Sequence, residues 1–319
     1  MFFAMSTVRV VSGRLFFESS HLIMLVALFL FAFDSVLAQG LKTDSMKIER
    51  VRVLMGDVLS RGRLSALDDL VSINYQSHYA VHNGAPAENN SLEDLRSHLE
   101  KRGRIANRVE RIIADGDYVF AQVHYLADSG FGSGSGMIGG DVFRFGEDNK
   151  IHEHWLVRQP MYDSSEHQQL VFSGADISDK PTLPETLQAN KNLVRQAFGT
   201  VWAQGRPDRV PAFFAEHYIQ HNPYIASGAE HLQKMIALKV VPYIQIEKQD
   251  YPLDVLHIGA QGDFVFLHLE TVLYNQATRS ESKVQSFEIV RVNSERKLAE
   301  HWDILQIEGV PFTDLRSFY

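Results

Sequence analysis

Asp303 is the residue of this sequence best placed to move a proton. It closes the stretch Glu300-His301-Trp302-Asp303, which follows a segment carrying Glu288 and Arg291. Strand alternation sets His301 and Asp303 on one face, with Glu300 and Trp302 on the other. A carboxylate near imidazoles in an aromatic-rich pocket is raised in pKa by desolvation, which suits acid–base work near neutral pH. The plainer alternative is a salt bridge from Asp303 to a nearby Arg or Lys. The pattern also occurs earlier, as Asp141, Arg144 and Glu153-His154-Trp155-Leu156, with the Arg eleven residues before the Trp in both copies. Only the fourth position differs, and Leu156 has no proton to exchange.

Three further groupings could line a site. His78-Tyr79-Ala80-Val81-His82-Asn83 aligns with His217-Tyr218-Ile219-Gln220-His221-Asn222. Histidines four apart share a face if the segment is helical. Glu216 precedes the first of them, so this is not HExxH, and no spacing fixes a third ligand; no metal is expected. His152 and His154 share a strand face, but the second copy has Ala299 where His152 stands, and a structural or exposed role is favoured. Phe264, Phe266, His268 and Glu270 alternate along one strand face, matched in the first copy by Tyr118, Phe120, Gln122 and His124. Such a face is either a pocket wall or a core with a satisfied histidine. No GxSxG motif occurs, and no carboxylate pair for sugar hydrolysis can be located.

The elements that must hold these residues come in the same order twice. Helical spacing covers residues 46–60, a second helical stretch runs from Ser65 to about Tyr79, and Ser91-Leu92-Glu93-Asp94 opens a third helix ending near Gly103. Strands then flank Asp115-Gly116-Asp117 as a hairpin. Gly130 to Gly140 is a glycine-rich hairpin loop that is neither GxGxxG nor a phosphate loop. Asp141–Phe145 and Ile151–Gln159 form a last hairpin. The order restarts with helices over Leu187–Ala203, from Pro207, and over Gly228–Leu238. Strands follow at Tyr251–Ile258, Phe264–Leu273, Lys283–Val292 and Leu298–Ile307. Helices followed by strands, twice, give an α+β class. Extra residues in the second copy are placed at Val240–Pro252. The expected organisation is a leader over 1–38, one module over 46–160, a linker or packed loop over 161–185 and a second module over 186–319.

Composition narrows the function. The 319 residues suit about two domains, and 45% hydrophobic residues suffice for a core. A net charge of -8 argues against a general binder of nucleic acid or anionic membranes. The absence of cysteine removes disulfides, thiolate metal sites and a thiol nucleophile. Arg9 and Arg14 precede an apolar run, Leu22–Phe33, and Val36-Leu37-Ala38 is a small-residue cleavage pattern. Cleavage after Ala38 predicts a secreted or periplasmic chain with no remaining membrane segment.

The chain resembles the SnoaL-like branch of the nuclear transport factor 2-like superfamily, whose members include polyketide cyclases. The resemblance rests on Tyr218-Ile219-Gln220-His221-Asn222-Pro223, on Gly262 through His268, and on Glu288, Arg291 and Glu300 through Gln306. It implies two tandem cone-shaped α+β barrels, each a curved antiparallel sheet wrapped by helices around a pocket. It also implies a cofactor-independent aldol-type cyclase, isomerase or lyase acting on a small hydrophobic carbonyl compound. Asp303 is then the acid/base, with His268 and His301 beside it. Tyr218, His221, Asn222, Glu270, Glu288 and, in the first module, His82, Asn83 and His124 are implied as substrate-binding. Leu156 in place of the acid and Gly84 in place of Pro223 confine this chemistry to the second module. Relatives that pair through their sheets suggest an internal pseudo-dimer or a homodimer, and a non-catalytic binding protein of the cell envelope is the alternative function.

Overall fold

A computed structural model describes residues 43–79, 90–127, 136–178, 180–238, 240–241, 244–245, 253–275 and 280–307. The expected leader, His82, Asn83 and Gly84 lie outside these residues. Helix α1 (43–53) runs on into a π-helical turn, Leu54–Leu59, and buries Val51, Leu54, Met55 and Val58. A single turn, α2 (Leu67–Leu70), leads into strand β1 (Val71–Tyr79). Helix α3 (Leu92–Arg102) begins at a capping box between Ser91 and Asp94 and ends at Gly103, whose φ of 83° suits only glycine well. Strands β2 (Asn107–Asp115), β3 (Tyr118–Tyr125), β4 (Met137–Phe145) and β5 (Ile151–Pro160) complete the first half.

The second half repeats this order. Helix α5 (Pro184–Ala197) follows a short α4 (Ser165–Leu170), and α6 (Val210–Phe213) turns into strand β6 (Phe214–Gln220). Helix α7 (Ala229–Ala237) and the two-residue strands β7 (Val240–Val241) and β8 (Ile244–Gln245) precede β9 (Leu253–Gln261), β10 (Phe264–Asn275), β11 (Ser280–Val292) and β12 (Leu298–Ile307). The two large sheets have matching orders, β1-β5-β4-β3-β2 and β6-β12-β11-β10-β9. Each is antiparallel apart from one edge strand, β1 or β6, which runs parallel to its neighbour. The chain is thus α+β, with one five-stranded sheet per half.

Three expectations are corrected. The stretch Ser65–Tyr79 is not a second helix. Only a 3₁₀ turn, Leu64–Ala66, and the single α-helical turn form, and from Val71 the chain pairs with β5, so tertiary pairing overrides the local helical pattern. His217–Gln220 likewise lie in β6, so the segment whose histidines would share a helical face is extended. Met137–Gly140, expected in the glycine-rich loop, belong to β4.

Alternation along the strands divides the core. Val265, Leu267 and Leu269 of β10 face inward with Val194, Phe198 and Leu232 from the helices of their own half. Phe264 and Phe266 face outward, into a layer shared with Ile113, Phe120 and Val142 of the first sheet. The two sheets therefore meet on their outer faces within one unit spanning Asp44–Tyr319. Reciprocal contacts fix the register. Gln306 accepts from Arg158 N at 2.9 Å while Gln159 accepts from Leu305 N at 2.8 Å. Asp115 accepts from Ala260 N at 3.0 Å while Gln261 accepts from Ala114 N at 3.3 Å. Such reciprocity is the mark of an approximately two-fold interface. Residues 161–185 carry α4 and bury Met161, Tyr162 and Val171 in the shared layer.

Gly140 sits in this layer against the Phe287 ring, where an added Cβ would fall well inside van der Waals contact. Gly140→Ala is expected to destabilise the chain by about 1–3 kcal/mol through overpacking. Chemical denaturation checks this, with Gly56→Ala, at an open helical position, as the mild control.

Candidate active site

Five side chains on three strands converge on the inner face of the second sheet. Glu288 of β11 lies directly opposite Asp303 of β12 in the strand register, and His301 stands two residues before Asp303 on the same inner face. His301 Nε2 donates to Glu288 Oε2 at 2.7 Å, and its Nδ1 takes the Tyr218 hydroxyl of β6 at 2.7 Å. Asp303 accepts from Asn222 Nδ2 at 2.8 Å and from Gln220 Nε2 at 3.2 Å. Gln220 also lies 3.2 Å from His301 Nδ1, so it ties the two groups together. Tyr218, Gln220, Asn222, Glu288 and His301 are buried, while Asp303 keeps partial exposure. The salt-bridge alternative for Asp303 is not what forms: both its oxygens are held by amides.

The electrostatics follow from this burial. Desolvation pushes the Asp303 carboxyl up to about 6; His301 pulls it down and Glu288 pushes it up further. Burial also acts against a charged His301, but the hydrogen bond and charge of Glu288, with Asp303 nearby, outweigh it and hold the imidazole above its ordinary value. Burial, with both carboxylates, drives the Tyr218 hydroxyl well above the usual phenol range, so it stays a donor. A carboxyl raised to about 6 thus stands beside an imidazole that is also raised. Donor atoms of Glu288, His301 and Asp303 all lie within 4.8 Å, a span one cation could cover. Holding it would break several separate hydrogen bonds already made to His301 and Asp303, so the donor set reads as a proton-sharing network.

The other expected site residues are elsewhere. His221 lies against the outer face, stacked on Trp302 with ring centroids 4.1 Å apart and paired with Glu300 at 3.1 Å. His268 faces outward on β10, 3.1 Å from His257. Glu270 binds Lys283 at the rim, and His124 stacks on Phe172 with ring centroids 5.3 Å apart. The physical reason is shared: the sheet's outer face, covered by the other half, is as apolar as its inner one, so alternation alone does not say which face bounds the pocket. Gln220 was not anticipated, although it stands inside the Tyr-x-x-His-Asn motif.

The first half keeps a related network without the acid. Tyr75 OH lies 3.3 Å from His154 Nδ1, and His154 Nε2 donates to Asp141 Oδ1 at 2.7 Å. His154 is thus buried rather than exposed. His78 pairs with Glu153 and stacks on Trp155, as His221 does with Glu300 and Trp302. The structural match is therefore Tyr75 with Tyr218 and His78 with His221, and the alignment of His78-Tyr79 with His217-Tyr218 slips out of register. Strand pairing agrees, since Gln76 lies opposite Glu153 as Ile219 lies opposite Glu300. Leu156 fills the acid's position. The cavity beside it, bounded by Leu59, Tyr75, Tyr125, His154 and Leu156 among others, is about 30 Å³. That holds a water or two and is well below the roughly 150 Å³ that accepts a benzene ring.

Two outcomes follow. Leu156→Ala is expected to cost about 2–5 kcal/mol, because the buried side chain leaves a void its neighbours cannot fill; denaturant titration measures it. Asp303 binds its proton more tightly folded than unfolded. Its contribution therefore favours the folded chain below about pH 4 and is lost as pH rises through about 6. Relative to Asp303→Asn, the native chain should lose stability on the order of 2 kcal/mol between those limits. Paired melts across pH check this; a constant difference would refute the raised pKa.

Residues 51–154 match the family model of the SnoaL-like domain. No curated protein matches the chain. Several solved structures are similar to part of the chain. TsrD from Streptomyces laurentii is 15% identical, with 37% of this chain and 89% of that one covered at a TM-score of 0.32. A candidate polyketide cyclase from Acidithiobacillus ferrooxidans is 16% identical, with 41% and 96% covered at 0.33. An epoxide hydrolase of LEH-like type from M. tuberculosis is 13% identical, with 38% and 85% covered at 0.31. Residues 51–154 are therefore similar to the SnoaL-like domain, and the second half of this α+β chain repeats the strand order of the first.

Proposed function

We propose that the second half is a cofactor-independent acid–base catalyst for a small hydrophobic carbonyl compound, of the aldol-cyclase, isomerase or lyase type. One observation carries this reading: Asp303, which keeps partial exposure, has a carboxyl raised to about 6 beside a buried His301. In its charged form Asp303 takes a proton from the carbon next to the carbonyl. Asn222 and Gln220 hold the carboxylate in place. The developing enolate oxygen needs a donor, and this role is assigned to the Tyr218 and His301 pair, which Glu288 backs. A base with its pKa near the working pH keeps both a useful charged fraction and a driving force for transfer.

A second reading has support of its own. Leu156 and the small cavity beside it support a first half without acid–base chemistry, and the leader expected over residues 1–38 fits an envelope protein that holds a small apolar molecule. Among the described residues, no helix is long and apolar enough to cross a membrane.

Asp303→Asn separates the readings. The first expects the fold to persist, by circular dichroism, while turnover of an activated carbonyl substrate panel falls by about 10²-fold or more. Turnover equal to that of the native chain would remove Asp303 from the chemistry.

A further inference from the structure

The shared layer between the sheets holds two matched cross-strand pairs. In the first sheet, Arg111 of β2 lies opposite Gln122 of β3 and donates to it at 2.7 Å. Its guanidinium sits 4.4 Å from the centroid of Trp302 in the other half. In the second sheet, His257 of β9 lies opposite His268 of β10. The His257 ring centroid is 4.2 Å from that of Trp155, again across the layer, and 5.3 Å from that of Tyr118. A permanent cation therefore faces one tryptophan, and an imidazole pair faces the other.

The pair has the spacing of two ligands to one ion. Its Nδ1 atoms are 3.1 Å apart. Two nitrogens each about 2.0–2.1 Å from a zinc ion at a near-tetrahedral angle stand about this far apart. Only one shared proton occupies that space, so a cation replaces a single hydrogen bond. This differs from the Glu288, His301 and Asp303 cluster, where several independent bonds would break. His257 is partly exposed, which gives an ion and its remaining water ligands a way in, whereas His268 is buried. We propose that His257 and His268 bind a divalent transition cation of borderline softness, of the zinc or copper class, at the seam between the two sheets.

The surroundings favour it. Burial pulls both imidazoles down to about 4, with their neighbouring imidazoles adding to the effect, so no proton competes for them at neutral pH. Glu153 lies within electrostatic reach of His257, although His78 and Arg144 already engage it. Glu270 does the same for His268 while bound to Lys283 and Gln285. Neutral imidazole suits zinc, copper and nickel.

The test uses the untagged full chain stripped with chelator. Zn²⁺ is titrated by calorimetry at pH 7, and Cu²⁺ is followed by tryptophan fluorescence. One equivalent of Zn²⁺ should bind and raise the melting temperature. His257→Gln, at a partly exposed position that tolerates change, should weaken binding by more than about tenfold and abolish the thermal shift. Trp155→Phe should keep Zn²⁺ binding and remove most of the Cu²⁺ quenching, while Glu288→Gln should change neither. Absence of stoichiometric binding, undiminished binding in His257→Gln, or loss of binding in Glu288→Gln would each overturn the proposal.

Discussion

Two carboxylates, Glu288 and Asp303, stand opposite each other on neighbouring strands inside one cone, with a single imidazole beside them. Like charges this close in a low-dielectric interior are costly. The cost is contained by dividing roles. Glu288 is committed to His301, and Asp303 is left to hold or release a proton. Everything else in the second half serves that division: β6 delivers Tyr218 and Gln220, the turn after it delivers Asn222, and α5 and α7 close the apolar walls around them.

The same strand is anchored on its other side. Trp302 is sandwiched between the His221 ring and the Arg111 guanidinium, and its indole N–H donates to Ser173 O at 3.0 Å. Glu300 takes Arg291 at 2.5 Å and the Ala175 backbone N–H at 3.2 Å. Gly174, at φ 106°, lies so close to Glu300, Trp302 and His221 that no side chain fits there. The segment joining the halves thus holds the outer face of β12 while the inner face presents His301 and Asp303. The first half contributes the support and has no counterpart of Asp303, since Leu156 takes that position beside only a small cavity.

Much of this was legible in the sequence. The repeat of Glu-His-Trp, the Gly-Asp turns and the strand β12 all stand where spacing put them, because hairpin chemistry and period-two alternation are local. The unequal fourth position, Asp303 against Leu156, also survives as the main difference between the halves. What failed depended on partners far along the chain. Edge strands β1 and β6 read as helical because their pairing with β5 and β12 is not encoded nearby. His221, His268 and Glu270 were assigned to the pocket because a sheet covered on both faces shows aromatics on both. Only the reciprocal contacts across the layer reveal which face is which.

The central claim is that Asp303 holds its proton at a pH where an ordinary aspartate has lost it. Carbon-13 NMR of the carboxyl side chains, with Asp303→Asn used to assign the resonance, reads this directly. A titration midpoint near 6, coupled to a second step at His301, is the predicted result. A midpoint at or below about 4, the range of a solvated aspartate, would contradict the account.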